Sequence, residues 1–415
     1  MYSFLIYIFI LFSQFGLYSI FGSALTFGGY QITTWIVYFI YVLSFLFALF
    51  YVTRLSGKYK YKMFLLAYVI VLMVTYVNSY VQDKGIMGIV STSVHYALPI
   101  LFFPTLASIG VNRKKIIKII CITSMVGAVV TLMFMSGILG KYIPKNEITT
   151  ERSSLLVDGG LGLIAVAISL HLIFYEKSMM NNFYKYGTML SGIIIIIGGQ
   201  SRARLIVLII VFMLAIIMNL IYAKQNRMAI FKVLLVLTAV AAIAFAASPA
   251  LRDVSESILA RFSTMGTDSS SMFRVFERNI QLQEFYNSPF FGCGWNGLKD
   301  LQIKDLWGDY SPVNNHNMYS SLLAYGGLLY TVPFAFWFII LFISELFKIG
   351  KYDTAKLHII LLIVVAILSW SSAGFAKHSQ ILSMIIIYAD IIDREQIPQI
   401  MKKSKHRIGK IKIKI

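Results

Sequence analysis

His316 stands among asparagines directly before an apolar, glycine-bearing segment, in the stretch NNHNMYSSLLAYGGLLY at residues 314–330. An imidazole exchanges a proton near neutral pH, so this histidine is a candidate general base. Asn317 is suited to cap a helix that begins here, and the free N–H groups of a helix start favour an anion. Capping alone would explain the asparagines but not the histidine. The stretch therefore predicts either a plain helix cap or acid–base chemistry on an anionic substrate.

Two pairs of arginines are candidates for binding that anion. Arg202 and Arg204, in GGQSRARL at residues 198–205, interrupt apolar sequence, and ionisable groups at membrane depth are costly and usually functional. They point about 200° apart in a helix, so one can face the protein interior while the other reaches the lipid headgroups. Arg274 and Arg278 lie one helical turn apart. Interfacial anchoring and surface ion pairs with nearby glutamates are the structural alternatives, but arginines at one level are what a pyrophosphate requires.

Other polar residues are weaker candidates. Asp158 lies near the start of an apolar segment, where it could hold an acceptor sugar or pair with Arg152. His171 lies inside an apolar segment and is expected to be a hydrogen-bonded structural residue, and His378 is a weak second candidate for the site. The two cysteines lie in segments of different character, so neither a disulfide nor a metal cluster is expected. No metal or other cofactor is predicted.

The composition indicates an integral membrane protein. Hydrophobic residues make up 58% of the chain and charged residues only 13%, against about a quarter charged in ordinary globular domains. Uncharged runs near the roughly 20 residues that cross a bilayer recur along the whole length. We expect an all-α, polytopic helical bundle with about twelve transmembrane helices. The predicted spans are residues 2–22, 31–52, 63–81, 87–110, 116–138, 154–175, 187–199, 205–222, 229–248, 318–343, 357–375 and 380–392.

Lysine and arginine gather in segments that share one side of the membrane when twelve spans alternate. These segments are residues 53–62, 111–118, 223–227 and a basic tail at 394–415. Short positively charged loops stay in the cytoplasm, so both termini are expected there. The tail also suits contact with anionic lipid. Topology therefore explains the net charge of +19, and nucleic acid is not expected as a partner.

One large hydrophilic loop, residues 248–317, is predicted on the opposite, extracytoplasmic side. Within it, residues 269–287 are typical of a short amphipathic helix. Its apolar residues fall roughly on one side: Met272, Phe276, Ile280 and Phe285. No internal repeat or linker divides the chain, so residues 1–415 are predicted to form a single polytopic membrane domain.

The motif around His316 resembles one in the O-antigen ligase and Wzy-type polymerase superfamily of bacterial surface polysaccharide assembly. Ligases of that family carry a histidine, then Asn, Ser or Gln, nine residues, a glycine, two residues, and Gly, Thr or Tyr. His316, Asn317, Gly327 and Tyr330 satisfy this spacing.

Two more motifs of this family have counterparts here, in the same order. Arg274 followed by PFFGCG at 289–294 is similar to the family's arginine, helix, proline, two apolar residues and G-x-G. Ser201 and Arg202 are similar to a Ser-Arg pair at the outer start of a span. The tryptophan often found one turn after the loop arginine is replaced here by Arg278.

The resemblance implies a metal-independent membrane glycosyltransferase of the GT-C type in the bacterial cytoplasmic (inner) membrane, with its active site on the extracytoplasmic side. The implied donor is an oligosaccharide linked to undecaprenyl pyrophosphate, and membrane lipid, a chain-length regulator and a flippase of the same pathway are the other expected partners. The expected catalytic residues are His316, Asn317, Arg274 and Arg202. The residues expected to bind pyrophosphate or sugar are Arg204, Arg278, Asp158 and Tyr330.

Three functions fit these observations. A polymerase adds the growing glycan to a new lipid-linked repeat unit, and we favour it because polymerases are the more numerous and divergent group. An O-antigen ligase transfers the glycan to a lipid core instead. A flippase for lipid-linked oligosaccharides is the third, but a transporter would be expected to place ionisable residues near the bilayer midplane and to show two related halves.

Overall fold

The computed structural model is an all-α helical bundle with two short β-hairpins. It describes residues 2–15, 26–27, 30–53, 59–82, 86–109, 112–138, 156–176, 178–199, 201–222, 227–247, 256, 263, 269–295, 297–300, 302–304, 310–312, 316–370 and 379–394. The expectations for Arg152, His378 and the tail beyond residue 394 lie outside these ranges.

The helices run through the chain in the following order. They are α1 (Tyr2–Phe12), α2 (Ile32–Thr53), α3 (Tyr59–Val81), α4 (Ile86–Ile109), α5 (Arg113–Met135), α6 (Gly159–Phe174), α7 (Asn182–Gly198), α8 (Arg202–Tyr222), α9 (Arg227–Ala247), α10 (Ser269–Asn287), α11 (Met318–Lys348) and α12 (Asp353–Trp370), followed by α13 at residues 379–394. The hairpins pair β1 (Thr26–Phe27) with β2 (Tyr30–Gln31) and β3 (Gln302–Lys304) with β4 (Tyr310–Pro312), both antiparallel. A short 3₁₀ turn covers Gly297–Asp300.

Each predicted span coincides with a helix at least in part, and the predicted amphipathic helix at 269–287 is α10. Within the part of the chain that the structure describes, five helices are long and apolar enough to cross a membrane. They are Met63–Val81, Arg113–Met135, Arg202–Tyr222, Met318–Lys348 and Asp353–Trp370. The expected all-α polytopic membrane fold is therefore confirmed.

Helix α6 forms the centre of the bundle, and every one of its residues is buried. Small residues let its neighbour α7 approach closely: a Cβ on Gly162 would lie 2.6 Å from the carbonyl oxygen of Gly192. Such contacts are how transmembrane helices associate, since lipid offers no hydrophobic drive to bring them together. The centre of the bundle therefore depends on glycine as much as on large apolar side chains.

The two ends of the bundle carry different polar groups. At one end, called the Arg113 end, Arg113 pairs with Glu176 and Asp390 from the end of α6 and from α13. His358 and Arg394 continue this network through further ion pairs: His358–Glu345, His358–Asp390, Arg394–Glu345 and Arg394–Asp390. These helix ends are the ones that alternating spans predict on the cytoplasmic side, and they do lie together.

Arg394 is the last residue of α13 in the described ranges and takes part in this network. Two buried carboxylates, Glu345 and Asp390, hold Arg394 in the bundle. His171 also behaves as expected for a structural residue, since it is buried and contacts Glu176 with 3.3 Å between Nε2 and Oε1.

Candidate functional site

His316 lies immediately before α11, at the opposite end of the bundle, called the His316 end. Its Nδ1 is 2.5 Å from Oε2 of Glu277, which projects from α10. The Glu277 side chain is 1% exposed, whereas the His316 side chain is 39% exposed. A buried carboxylate thus supports one edge of an imidazole whose remainder is accessible.

Asn317 is the N-cap of α11, as its sequence position predicts. Its Oδ1 accepts hydrogen bonds from the backbone N–H groups of Tyr319 and Ser320, at 2.9 and 3.2 Å. The backbone is extended at Asn317, with φ −137° and ψ 114°, and turns helical at the next residue. The cap therefore fixes where the helix starts and, as a result, the position from which the side chain of His316 projects.

The inward face of α10 carries two buried polar residues, Glu277 and Gln281, beside the packed Ile280, which corrects the expectation of an apolar face. Gln281, one turn after Glu277, accepts a hydrogen bond from Ser320 at 2.5 Å. Met272 and Phe276, expected on the packed side, are 38% and 53% exposed. The rotation of α10 is thus determined by its polar pairs with the start of α11 as well as by its apolar residues. Turning Glu277 inward without a partner would cost several kcal/mol, so its contact with His316 is needed in this arrangement.

Helix α11 breaks eleven residues after His316, at Gly327, where φ is 56° and ψ is −162°. The break leaves two N–H groups and two carbonyls without helical partners, and residues 289–294 supply them. Leu328 and Leu329 donate to the carbonyls of Pro289 and Phe290, at 2.8 and 3.1 Å. Cys293 and Gly294 donate to the carbonyls of Ala324 and Tyr325, at 2.7 and 3.0 Å. We call this pairing the seam; it satisfies all four backbone groups.

Glycine is required on both sides of the seam because the two backbones touch. A Cβ on Gly327 would lie 2.4 Å from the carbonyl oxygen of Phe290, and one on Gly292 would lie 2.4 Å from that of Ala324. Gly292 and Gly294 also have positive φ, at 67° and 79°, a region that side-chain-bearing residues rarely adopt. The G-x-G of the loop and the glycine of the histidine motif are thus two halves of one contact.

Tyr330 is fully buried beneath the seam. Its hydroxyl is hydrogen-bonded to that of Tyr68 on α3, and its ring meets Trp295 edge-on with 4.8 Å between centroids. Trp295 in turn donates its backbone N–H to Oγ of Ser79, at 2.8 Å. The cluster fastens the broken helix and the seam to α3, and the expected substrate contact of Tyr330 stays a prediction.

A second polar pair at the His316 end joins Arg204 to Asp158. Nη2 of Arg204 is 2.9 Å from Oδ1 of Asp158, and the two side chains are largely buried, with 16% and 14% of their surfaces exposed. The same Asp158 oxygen caps α6 by accepting the N–H of Gly160 at 3.0 Å. Asp158 was expected to hold an acceptor or to pair with Arg152; the partner that the structure shows is Arg204. Of the two arginines of GGQSRARL, Arg204 therefore faces inward.

The remaining arginines are more open. Arg202, the first residue of α8, is partly exposed. Arg274 is exposed and Arg278 partly exposed, and neither makes an ion pair with another side chain in the described ranges. By helical geometry Arg274 lies about 60° and Arg278 about 100° around α10 from Glu277. The expected ion pairs with Glu277 and Glu284 are replaced by the contact of Glu277 with His316.

An apolar groove runs along α11 and α12 from the position of His316. Its volume is about 330 Å³, and it begins at Met318 and Tyr319, directly after the N-cap. It continues past the helix break, lined by Leu322, Leu323, Thr331, Phe334, Ala335, Phe338, Ile339, Val365, Ala366 and Ser369. Tyr319 closes its end by donating its hydroxyl to the carbonyl of Ala366, at 2.8 Å. Helix α12, which forms one wall of the groove, also packs against α8, the helix that carries Arg204.

Sequence reasoning found His316 and its cap but missed Glu277, Gln281 and Ser320. The available signal was spacing: Glu277 and Gln281 are four residues apart in sequence, as are His316 and Ser320, and in α10 this spacing puts Glu277 and Gln281 one helical turn apart. That match becomes informative only once α10 is known to lie beside the start of α11.

Comparison with known proteins bears on this part of the chain. Residues 187–335 match the model of a protein family described as O-antigen ligase. The match includes His316, Glu277, the four arginines and both halves of the seam, whereas Asp158 lies outside it. No curated protein matches the chain.

Proposed function

From the match of residues 187–335 to the family described as O-antigen ligase we propose that the chain is a polysaccharide polymerase of the O-antigen ligase and Wzy-type superfamily. In this proposal it transfers a growing glycan from undecaprenyl pyrophosphate to the sugar of a second lipid-linked repeat unit. The observation that carries the proposal is His316, held on a buried carboxylate at a helix start beside an apolar groove.

His316 is proposed to take the proton of the attacking hydroxyl. The oxygen of that hydroxyl forms a bond to the anomeric carbon, and the bond from this carbon to the pyrophosphate oxygen breaks with its electron pair. A base within hydrogen-bonding reach of the hydroxyl typically contributes about 10²–10⁴-fold to such a step. The accessible part of the imidazole meets this requirement, since only one edge contacts Glu277.

The leaving pyrophosphate needs positive charge where negative charge grows. Arg202, Arg204 and Arg274 are proposed for this role, with Arg278 beside them. Arg274 and Arg278 have no ion-pair partner in the described ranges, which leaves their charge available to a substrate. Arg204 is held by Asp158 and would approach the pyrophosphate from a fixed position.

The groove supports a lipid-linked donor. A prenyl chain is apolar along its length, and its pyrophosphate must lie at the end of the groove that holds the catalytic groups. The groove meets this condition, because its almost wholly apolar lining begins one residue after the Asn317 cap. It would hold part of a prenyl chain while the rest remains in the bilayer.

The second candidate is a ligase, and two observations favour it: the family description and the spacing of the histidine motif. Polymerase and ligase share the donor and differ in acceptor, so the same groups serve both. We retain the polymerase because polymerases are the more numerous and divergent group of this superfamily. The bacterial inner membrane, cytoplasmic termini, an extracytoplasmic site and independence from metal belong to the same proposal.

The experiment that tests it uses the purified full chain in detergent with one undecaprenyl-pyrophosphate-linked repeat unit and no other acceptor. A ladder of multiples, resolved by gel or mass and unchanged by EDTA, is the expected result. Transfer that appears only after a lipid core is added would make the protein a ligase. Absence of transfer under both conditions would overturn the glycosyltransferase proposal and favour transport of the same lipid.

A further inference from the structure

The contact between Glu277 and His316 belongs to a short polar ladder between two helices. Glu277 and Gln281 on α10 face His316 and Ser320 at the start of α11, with 2.5 Å between the polar atoms of each pair. Two contacts in register fix both the height and the rotation of α10 against α11. His316 is thus held in place by α10 as well as by the start of α11, to which it is joined.

Burial makes Glu277 unusual among the carboxylates of this end. Its side chain is 1% exposed, although it lies on a helix whose other acidic residue, Glu284, is partly exposed. A buried carboxylate is expensive unless charged or hydrogen-bonded partners compensate. An apolar residue would pack the same position at less cost, so stability alone does not account for a carboxylate here.

The contact also determines which nitrogen of His316 is available. With Nδ1 donating its hydrogen to the carboxylate, the neutral ring keeps its lone pair on Nε2. In the described ranges Nε2 makes no hydrogen bond to the protein. A carboxylate in this position fixes the tautomer and the ring orientation, and it stabilises the imidazolium that forms when Nε2 takes a proton.

We propose that Glu277 is the positioning residue of the reaction, holding His316 through Nδ1 so that Nε2 removes the proton of the acceptor hydroxyl. The inference rests on the proposed function and goes beyond it by naming a residue that acts through His316. The proton moves from the hydroxyl to Nε2, the acceptor oxygen bonds to the anomeric carbon, and the pyrophosphate leaves with the electron pair. The imidazolium then returns its proton to water.

The test compares Glu277→Gln, Glu277→Asp and the matched control Glu284→Gln, which lies two turns along the same helix. Transfer by the purified full chain is measured per folded protein, normalised by size-exclusion profile, with kcat and the acceptor KM determined separately. We expect Glu277→Gln to lower kcat about 100-fold or more with KM nearly unchanged. Glu277→Asp, which keeps the charge but is one methylene shorter, should retain more activity than Glu277→Gln, and Glu284→Gln should match the wild type.

A second comparison separates positioning from a merely structural role. Against a background of His316→Ala, Glu277→Gln should cause no further loss, because both changes remove the same proton transfer. A wild-type kcat in Glu277→Gln would overturn the inference. So would a loss caused by Glu277→Gln in the His316→Ala background that is as large as the loss it causes in the wild type. If Glu277→Gln does not fold, Glu277→Asp decides the matter by the same two measurements.

Failure of the inference is distinguishable from failure of the proposed function. Were the wild type inactive with either acceptor, the proposed function would fall and the inference with it. An active wild type, a His316→Ala variant with strongly reduced transfer and a fully active Glu277→Gln would leave the function standing and remove Glu277 from it.

Discussion

At the scale of single residues, the structure separates groups that hold the site from groups that are open to a substrate. Glu277, Asp158 and Asn317 are occupied by contacts within the protein. Arg274 is exposed, and His316 is open on one side. The first set fixes positions, and the second is accessible, as the proposed chemistry requires.

Replacing His316 or Arg202 by alanine should lower transfer by about 100-fold or more while leaving the amount of inserted protein unchanged. The first change removes the proposed base, worth about 10²–10⁴-fold, and the second removes charge from the leaving group. Activity in detergent and membrane content by immunoblot are the two measurements. Normal polymer from both variants would contradict the assignment of the site.

Asn317 offers a cleaner separation of stability from chemistry. Asn317→Ala removes the cap of α11 and should lower the free energy of unfolding by about 1 kcal/mol, whereas Asn317→Ser retains a cap. If Asn317 also touches the sugar, as its place in the motif suggests, the serine variant will be as stable as the wild type yet less active. Thermal unfolding and transfer assays on both variants provide the answer, and a fully active serine variant would reduce Asn317 to a cap.

Residue type and neighbourhood were enough to single out His316 and Arg204 as candidates and to predict the cap at Asn317. They were not enough for Glu277, because a glutamate three residues from Arg274 looks like half of a surface ion pair. Its actual partner is His316, thirty-nine positions along the chain. Only the packing of α10 on α11 shows this.

At the scale of elements, the decisive feature is the break in α11 and the seam that fills it. Hydropathy predicts one continuous transmembrane helix here. The segment is long and apolar enough to cross a membrane, but its backbone is not continuously helical, because it breaks at Gly327. A helix can break inside a membrane only where other groups form hydrogen bonds with the N–H and C=O groups that the break exposes. Residues 289–294 do so, which no pattern within α11 could have revealed.

Gly292→Ala and Gly327→Ala should each destabilise the protein by about 1–3 kcal/mol and reduce transfer, because strain and backbone overlap both push the seam apart. Gly137→Ala is the matched control, since Gly137 also has positive φ, at 76°, but nothing lies within 4 Å of the added Cβ. Differential thermal unfolding of the three variants measures the effect. Equal losses at all three positions would mean that φ alone matters and the seam contact does not.

The groove makes a prediction of its own. Ala335→Phe fills part of the 330 Å³ and should raise the KM for a long-chain prenyl donor, with tenfold corresponding to about 1.4 kcal/mol. Val332→Phe, on the same helix at an exposed position outside the lining, should have little effect. Donors with short prenyl chains should lose less with Ala335→Phe, and an equal loss for both donors would speak against a prenyl chain in the groove.

At the scale of the whole molecule, the ion pairs that the structure describes lie at the Arg113 end and at the His316 end of the bundle, and apolar side chains fill the space between the two ends. The helices that the predicted spans overlap could be recognised from sequence because apolar length is a strong signal, and five of them are long and apolar enough to cross a membrane in the described ranges. The network at the Arg113 end could not be recognised, because Arg113 lies in a basic segment whose simplest role is orientation. Its partners Glu176 and Asp390 are distant in sequence and are brought to it by the fold.

Glu176, between α6 and α7, gives this network a pH dependence. Burial raises its pKa, but hydrogen bonds and charge from His171 and Arg113 outweigh burial and hold the pKa at about 2. A carboxyl with a depressed pKa stabilises the folded state above its unfolded pKa and stops doing so as the pH falls through the folded value. Glu176→Gln should therefore lower the Tm in detergent near neutral pH.

The difference in Tm between wild type and Glu176→Gln should shrink as the pH falls from about 4.5 toward 2, the window between the ordinary and the depressed pKa. Glu284→Gln is the comparison, since Glu284 lies outside the network and should change the Tm little. A difference that stays constant across this window would mean that the ion pairs of Glu176 do not stabilise the fold.

The seam has a consequence for how such a protein can diversify. It anchors the chain at Gly294, and the cap and Glu277 anchor it again at His316. Exchanges confined to the chain between these two anchors keep both anchors, provided that Leu298, which is fully buried in the core, is kept as well. A chimera that keeps residues up to 300 and from 316 onward is therefore the starting point for testing whether this stretch affects which polysaccharide is made.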